Sequence, residues 1–249
     1  MAAQDNKRLL HLSLIVILST TPPVRCQIQM SRGAGSQSRS AKAEEVLTKF
    51  LQAVGDVTAG DSVETSVSEG NIVDWEGQRI QVEDYWKSPD KRLMIEHRSR
   101  AEIRRGSDGK TRWTQEGNGK PKRVKLSYDQ ENDVSFEDVL HWRDKLKKAD
   151  FAGEADVLGA KAFVLNVAGD RPAALYFDQQ TGLLLRQDTK WEQSQVETYY
   201  FNYVETSGVK VPWRVEFVYL RTGKKYVRTI TKVTTNVPLD DAMFAMPTR

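Results

Sequence analysis

Residue types that do catalysis or bind metals are scarce in this chain, and their spacing does not assemble a site. The three histidines are His11, His97 and His141. No two stand at metal-ligand spacing, and Cys26, the single cysteine, has no thiol to pair with, so neither a zinc site nor an internal disulfide is expected. His97, between Glu96 and Arg98 in an alternating stretch, reads as a surface strand residue. The run Gly106-Ser107-Asp108-Gly109-Lys110-Thr111 invites comparison with a phosphate-binding loop. That pattern needs a glycine five residues before Gly109, where Arg104 stands, and a following helix whose N-terminus faces the phosphate. Thr111-Arg112-Trp113-Thr114 reads instead as a strand, so the run is a hairpin turn. No GxSxG elbow presents a serine nucleophile, and the adjacent Asp240 and Asp241 lie in a C-terminal turn. The expectation is a binding protein, not an enzyme, with no catalytic residues, no cofactor and no metal.

Charge excludes a further class. The formal net charge is +3, yet the first 40 residues hold five basic residues and one acid. Of the 37 basic and 34 acidic residues in the chain, 32 and 33 lie beyond them. The body is close to neutral, with no footprint for nucleic acid. Basic residues gather locally at Lys110, Arg112, Lys120, Lys122, Arg123 and Lys125, and at Lys224-Lys225. These read as solvated hairpin tips, with contact to anionic lipid headgroups as the functional alternative.

What the chain has in quantity is aromatic surface: six Trp, eight Tyr and eight Phe. Tyr199, Tyr200, Phe201 and Tyr203 crowd one strand, so both of its faces must be at least partly covered. Either these side chains fill a solid sheet core, or they line an apolar cavity between a sheet and its covering helices.

The elements that would position them follow from periodicity. Ala43 to Val54 reads as a helix, with Val46, Leu47, Phe50, Leu51 and Val54 on one stripe and Gly55 ending it. The period then changes to two, at Ile80 and Val82, Leu93 to His97, Phe163 to Val167, Leu175 and Phe177, Leu183 and Leu185, Val196 to Val204, Trp213 to Leu220, and Tyr226 to Val233. Turn signals punctuate them at Glu76-Gly77, Ser88-Pro89-Asp90, Asp108-Gly109, Asn118-Gly119, Thr181-Gly182, Ser207-Gly208 and Thr222-Gly223. Strands joined by such turns are antiparallel neighbours. The predicted class is α+β, mostly antiparallel: a curved open sheet or half-barrel of about ten strands under two or three helices. A second helix is expected over Val134 to Ala149, capped by Asp133, with Phe136, Val139, Leu140, Arg143 and Leu146 at helical spacing.

The N-terminus reads as an export signal over residues 1–26. Lys7 and Arg8 precede the apolar run Leu9 to Leu18, which is too short to span a bilayer. Cys26 stands where a lipoprotein cysteine would, but Arg25 replaces the small residue required before it. It therefore falls in the removed leader or a loose linker, and lipid anchoring through it is the lesser alternative. Residues 27–41, polar and rich in Ser, Gly and Arg, read as a flexible linker, and residues 42–249 as one domain.

Six stretches then carry a resemblance: AEEVLTKFLQAVG at residues 43–55, YWKSPDKRLM at 85–94, SDGKTRW at 107–113, ALYFDQQTGLLLRQD at 174–188, VETYYFNYVETSGVKVPWRV at 196–215 and NVPLDDAMFAMP at 236–247. In this order they resemble the bacterial outer-membrane lipoprotein-sorting family, the LolA/LppX-like superfamily. The resemblance implies a half-barrel with an apolar cavity, a periplasmic location, and lipid acyl chains or lipid-modified proteins as partners; the membrane surface is a further candidate partner through the basic hairpin tips. A monomer is expected. From alternation, the residues expected to line the cavity are Trp86, Leu93, Ile95, Trp113, Phe136, Leu140, Tyr199, Phe201, Trp213 and Phe217. The competing reading is a non-catalytic envelope scaffold with a solid core.

Overall fold

The computed structural model describes residues 36–55, 62–124, 149–168, 173–191 and 194–248, with backbone alone for 36–40, 190, 191 and 194. Helix α1 (Ser36–Val54) opens the described chain. It starts seven residues ahead of the predicted Ala43, so that residues 36–41, expected as linker, are helical. Its stripe of Val46, Leu47, Phe50 and Val54 is buried against the sheet. Each such side chain contributes roughly 1.5–3 kcal/mol by leaving water. Gly55 stops the helix at a φ of 104° and bridges to Val209. A side chain there would strike the Gly208 carbonyl.

Thirteen strands follow, all in one sheet. In chain order they are β1 (Thr65–Val73), β2 (Arg79–Lys87), β3 (Lys91–His97), β4 (Glu102–Asp108), β5 (Arg112–Glu116), β6 (Lys122–Arg123), β7 (Ala149–Val157), β8 (Ala160–Val167), β9 (Ala173–Asp178), β10 (Leu184–Trp191), β11 (Ser194–Thr206), β12 (Val209–Tyr219) and β13 (Lys224–Thr235). Their order across the sheet is β6-β5-β4-β3-β2-β1-β13-β12-β11-β10-β9-β8-β7. Every sequence neighbour from β1 to β6 and from β7 to β13 pairs antiparallel. The first and last strands close on each other, with Val73 opposite Val227. The sheet is therefore a meander left open between β6 and β7. The predicted class holds, and the count exceeds the expected ten because β1, β4 and β7 carry little apolar alternation of their own. Among the described residues one α-helix is present. Ala149, expected to end the second helix, is instead the first residue of β7. The rest of that expected helix, like the export signal, lies outside the described residues.

The turns form where Gly, Asn and Asp signalled them. Gly77, Gly109, Gly182, Gly208 and Gly223 all take positive φ. In the β4–β5 turn Asp108 Oδ1 accepts the backbone N–H of Lys110 at 2.9 Å and of Thr111 at 2.6 Å. The glycine-rich run is thus a hairpin tip and no phosphate loop.

Candidate functional site

Residues opposite one another in antiparallel strands share a face, so the register sorts every side chain onto one side of the sheet or the other. On the α1 face of the β7–β12 half lie Leu165, Leu175, Phe177, Leu184, Tyr200, Val211 and Val215, packed with Ala43, Val46, Leu47, Phe50 and Val54 of the helix. Phe50 meets Phe177 edge to face at 5.3 Å. Around this cluster Phe151, Phe163, Tyr203, Trp213 and Phe217 are only partly buried. Tyr203 donates to the Leu184 carbonyl at 2.9 Å, and burial pushes its phenol well above the ordinary range. It is a neutral wall residue with its polar tip satisfied.

Following the same face across β13 and β1 changes its chemistry. Val215 stands opposite Arg228, and Arg228 opposite Ile72. Ile80, Val82 and Trp86 on β2 remain apolar and buried. Between them is Asp84, 6% exposed. Its Oδ2 accepts from Arg92 at 2.6 Å and from Arg228 at 3.1 Å. Burial opposes its ionisation, but the two guanidinium groups outweigh burial and hold its carboxyl below the ordinary carboxylate range. Beyond it, buried Glu96 accepts from Arg98 at 2.7 Å and from Arg105. Trp86 is 7% exposed, and its indole Nε1 finds no hydrogen-bond partner among the described residues.

Leu93 and Ile95 of β3 and Trp113 of β5 point to the far face. There Leu93, Ile95 and Trp113 pack with Tyr85 and with Leu239, Met243, Phe244 and Met246 of the C-terminal segment. Trp113, 2% exposed, donates its Nε1–H to the Phe244 carbonyl at 2.9 Å. Its indole occupies the space where Gly106 has no side chain. Asp241 anchors this segment, pairing with Lys87 at 2.7 Å and Lys91 at 2.6 Å. Those two hydrogen bonds hold its carboxyl at about 2. The adjacent acids of the sequence are thus a clasp: Asp240 caps a single 3-10 turn while Asp241 binds lysines.

On the far face of β9 to β12 runs a polar and aromatic ladder. Tyr176 donates to Asp188 at 2.8 Å, Arg186 donates to the same carboxylate at 2.9 Å, and Tyr199 donates to Glu197 at 2.7 Å. Tyr199 stacks with Phe201 at 6.4 Å. Burial raises the Asp188 carboxyl, with Arg186 opposing it, and burial pushes Tyr176 and Tyr199 up to about 12. His97 lies at the strand surface between Glu83 at 3.0 Å and Glu102 at 3.4 Å. Among the described residues no group of three His, Cys, Asp or Glu side chains could hold a metal ion. None of their helices is long and apolar enough to cross a membrane.

The ten residues expected to line one cavity are therefore not together. Trp213 and Phe217 stand on the α1 face beside the helix, and Trp86 on the same face at the charged end. Leu93, Ile95 and Trp113 belong to the far-face core, and Tyr199 and Phe201 to the far-face ladder. Phe136 and Leu140 lie outside the described residues. Period-two alternation divides a strand into two faces without saying which one meets the helix. The residues missed are Phe151, Phe163 and Tyr203. For Phe151 and Phe163 the signal was a place opposite Leu165 and Phe177, which only strand pairing reveals; Tyr203, opposite Pro212, had no such signal.

No protein-family model matches the sequence, and no curated protein matches it. Solved structures do match the fold. A DUF1329 family protein from Desulfovibrio piger superposes with a TM-score of 0.58 at 16% identity, over 83% of this chain and 97% of its own. A protein from Vibrio parahaemolyticus, described as an outer membrane lipoprotein-sorting protein domain, gives 0.56 at 14%, over 82% and 97%. A LolA superfamily protein from Nitrosomonas europaea gives 0.53 at 12%, over 82% and 97%. The fold is LolA-like. The partly buried aromatic surface beside α1 is the candidate site, with the buried charges of β2 and β3 at the other end of the same face.

Proposed function

We propose that this LolA-like chain is an exported carrier that holds the acyl chains of a lipid or lipid-modified protein against the α1 face of its sheet, with no covalent chemistry. The observation that carries the reading is the set of partly buried aromatics, Phe151, Phe163, Tyr203, Trp213 and Phe217, packed around the α1 cluster. Apolar side chains left partly open beside a buried core favour an apolar guest, and each methylene that leaves water contributes about 0.8 kcal/mol. The likeness to a lipoprotein-sorting domain supports an envelope setting in the periplasm.

The test is to extract the protein, purified from its own host without detergent, into organic solvent and identify co-purifying lipids by mass spectrometry. A fluorescent fatty-acid titration runs in parallel. Acyl species in the extract and saturable probe uptake, weakened by Trp213→Ala and Phe217→Ala, are expected. A clean extract with no uptake would leave a solid interaction domain as the function.

A further inference from the structure

We propose that the paired tips of the β1–β2 and β12–β13 hairpins form a docking site for an anionic bilayer surface. Few large apolar side chains of the described residues are well exposed, and two of them, Trp75 (48%) and Leu220 (47%), sit on these adjacent tips. The strands beneath are hydrogen-bonded neighbours. Lys224 joins the tips, its Nζ lying 4.0 Å from the centre of the Trp75 ring. The neighbouring β3–β4 turn is tied in by the Gln78–Ser99 hydrogen bond at 3.2 Å. Across these three turns, residues 74–79, 98–102 and 220–225, six basic residues stand against three acids; Arg98 and Lys225 pair with Glu96 and Glu216 just outside the turns, leaving Arg79, Arg100, Arg221 and Lys224 as the cations of the tips. One of those acids, Asp74, accepts the backbone N–H groups of Glu76 and Gln78.

Indole at the headgroup level, a leucine beneath it and lysine and arginine around them match the chemistry of an anionic interface. The lysine stem adds to the apolar contact while its ammonium stays among phosphates. A protein partner fits less well. Specific protein interfaces bury about 1,000 Å² or more on a complementary surface, whereas two protruding tips suit shallow insertion between headgroups. Leu158, exposed at the opposite end of the sheet, has no such setting, being flanked by the mutually paired Asp156 and Lys161.

The experiment is cosedimentation of the full chain with phosphatidylcholine vesicles, alone or with about a third phosphatidylglycerol, at low and high salt. Retention on the anionic vesicles, reversed by salt, is expected. The double variant Arg221→Glu/Lys224→Glu should lower partitioning roughly fivefold or more per cation lost. Trp75→Ala/Leu220→Ser should weaken it as well, and Leu158→Ser should leave it unchanged. All these positions are exposed, and circular dichroism checks that each variant folds. No retention, equal retention on neutral vesicles, or retention untouched by the tip variants would each overturn the proposal. It stands apart from the carrier reading: tip variants should take up the fatty-acid probe normally, and a chain that takes up no probe should still bind anionic vesicles.

Discussion

The two halves of the sheet place their main cores on opposite faces. From β7 to β12 the larger cluster faces α1, with a smaller one around Val157, Ala162, Val164 and Tyr176 behind it, while Leu93, Ile95 and Trp113 of β3 and β5 face away from α1, under the C-terminal segment. The α1 face of that second half carries Asp84, Glu96 and their arginines instead. Both halves obey the same alternation. What differs is the covering element: a helix on one half, with partly buried aromatic side chains packed around its cluster, and on the other an eight-residue tail held by the Trp113–Phe244 hydrogen bond and the Asp241 clasp.

Truncation separates them most sharply. Trp113→Ala should cost about 3–5 kcal/mol in urea unfolding while leaving fatty-acid uptake intact. Equal loss of uptake would mean that the halves are not separable. Asp84→Ala should cost roughly 3–5 kcal/mol, because it removes the buried carboxylate that Arg92 and Arg228 share. A neutral result would show the charged end to be open to water.

Acid should act on the same end. The Asp84 carboxyl is held below its unfolded value of about 4. Its contribution is therefore complete above about pH 4 and is lost as pH falls through the lower folded value. The urea midpoint should drop on that descent, and Asp84→Asn should flatten it. Gly106→Ala should destabilise by about 1–3 kcal/mol, since the added methyl meets the Trp113 ring. The smallest stability effect belongs to Trp213→Ala at the open flank. There a loss of about 1–2 kcal/mol, below that of the buried tryptophan, should accompany weaker probe binding. A loss equal to that at Trp113 would make the α1 half solid too.

Much of this architecture was legible beforehand. The stripe of Val46, Leu47, Phe50, Leu51 and Val54 predicted α1 because five apolar residues at helical spacing have one economical burial. The glycine turns predicted antiparallel neighbours because each demands a local reversal. β1 was not legible: Thr65–Val73 has two small polar residues and a glycine where alternation should show, and it is held by β2 on one side and by β13, more than 150 residues later, on the other. The site was legible only in composition. Aromatics announced a large apolar surface, but Tyr199 and Tyr200 differ by one residue and lie on opposite faces, one beside Arg186 and the other under α1.

By itself the amino-acid order determined where the chain bends and with what period each segment repeats, because turns and amphipathic periods are local properties of neighbouring residues. Only the tertiary structure decided which face of each strand is inside. That choice depends on what covers the strand, a helix from one end of the chain or a tail from the other, and neither is written in the strand.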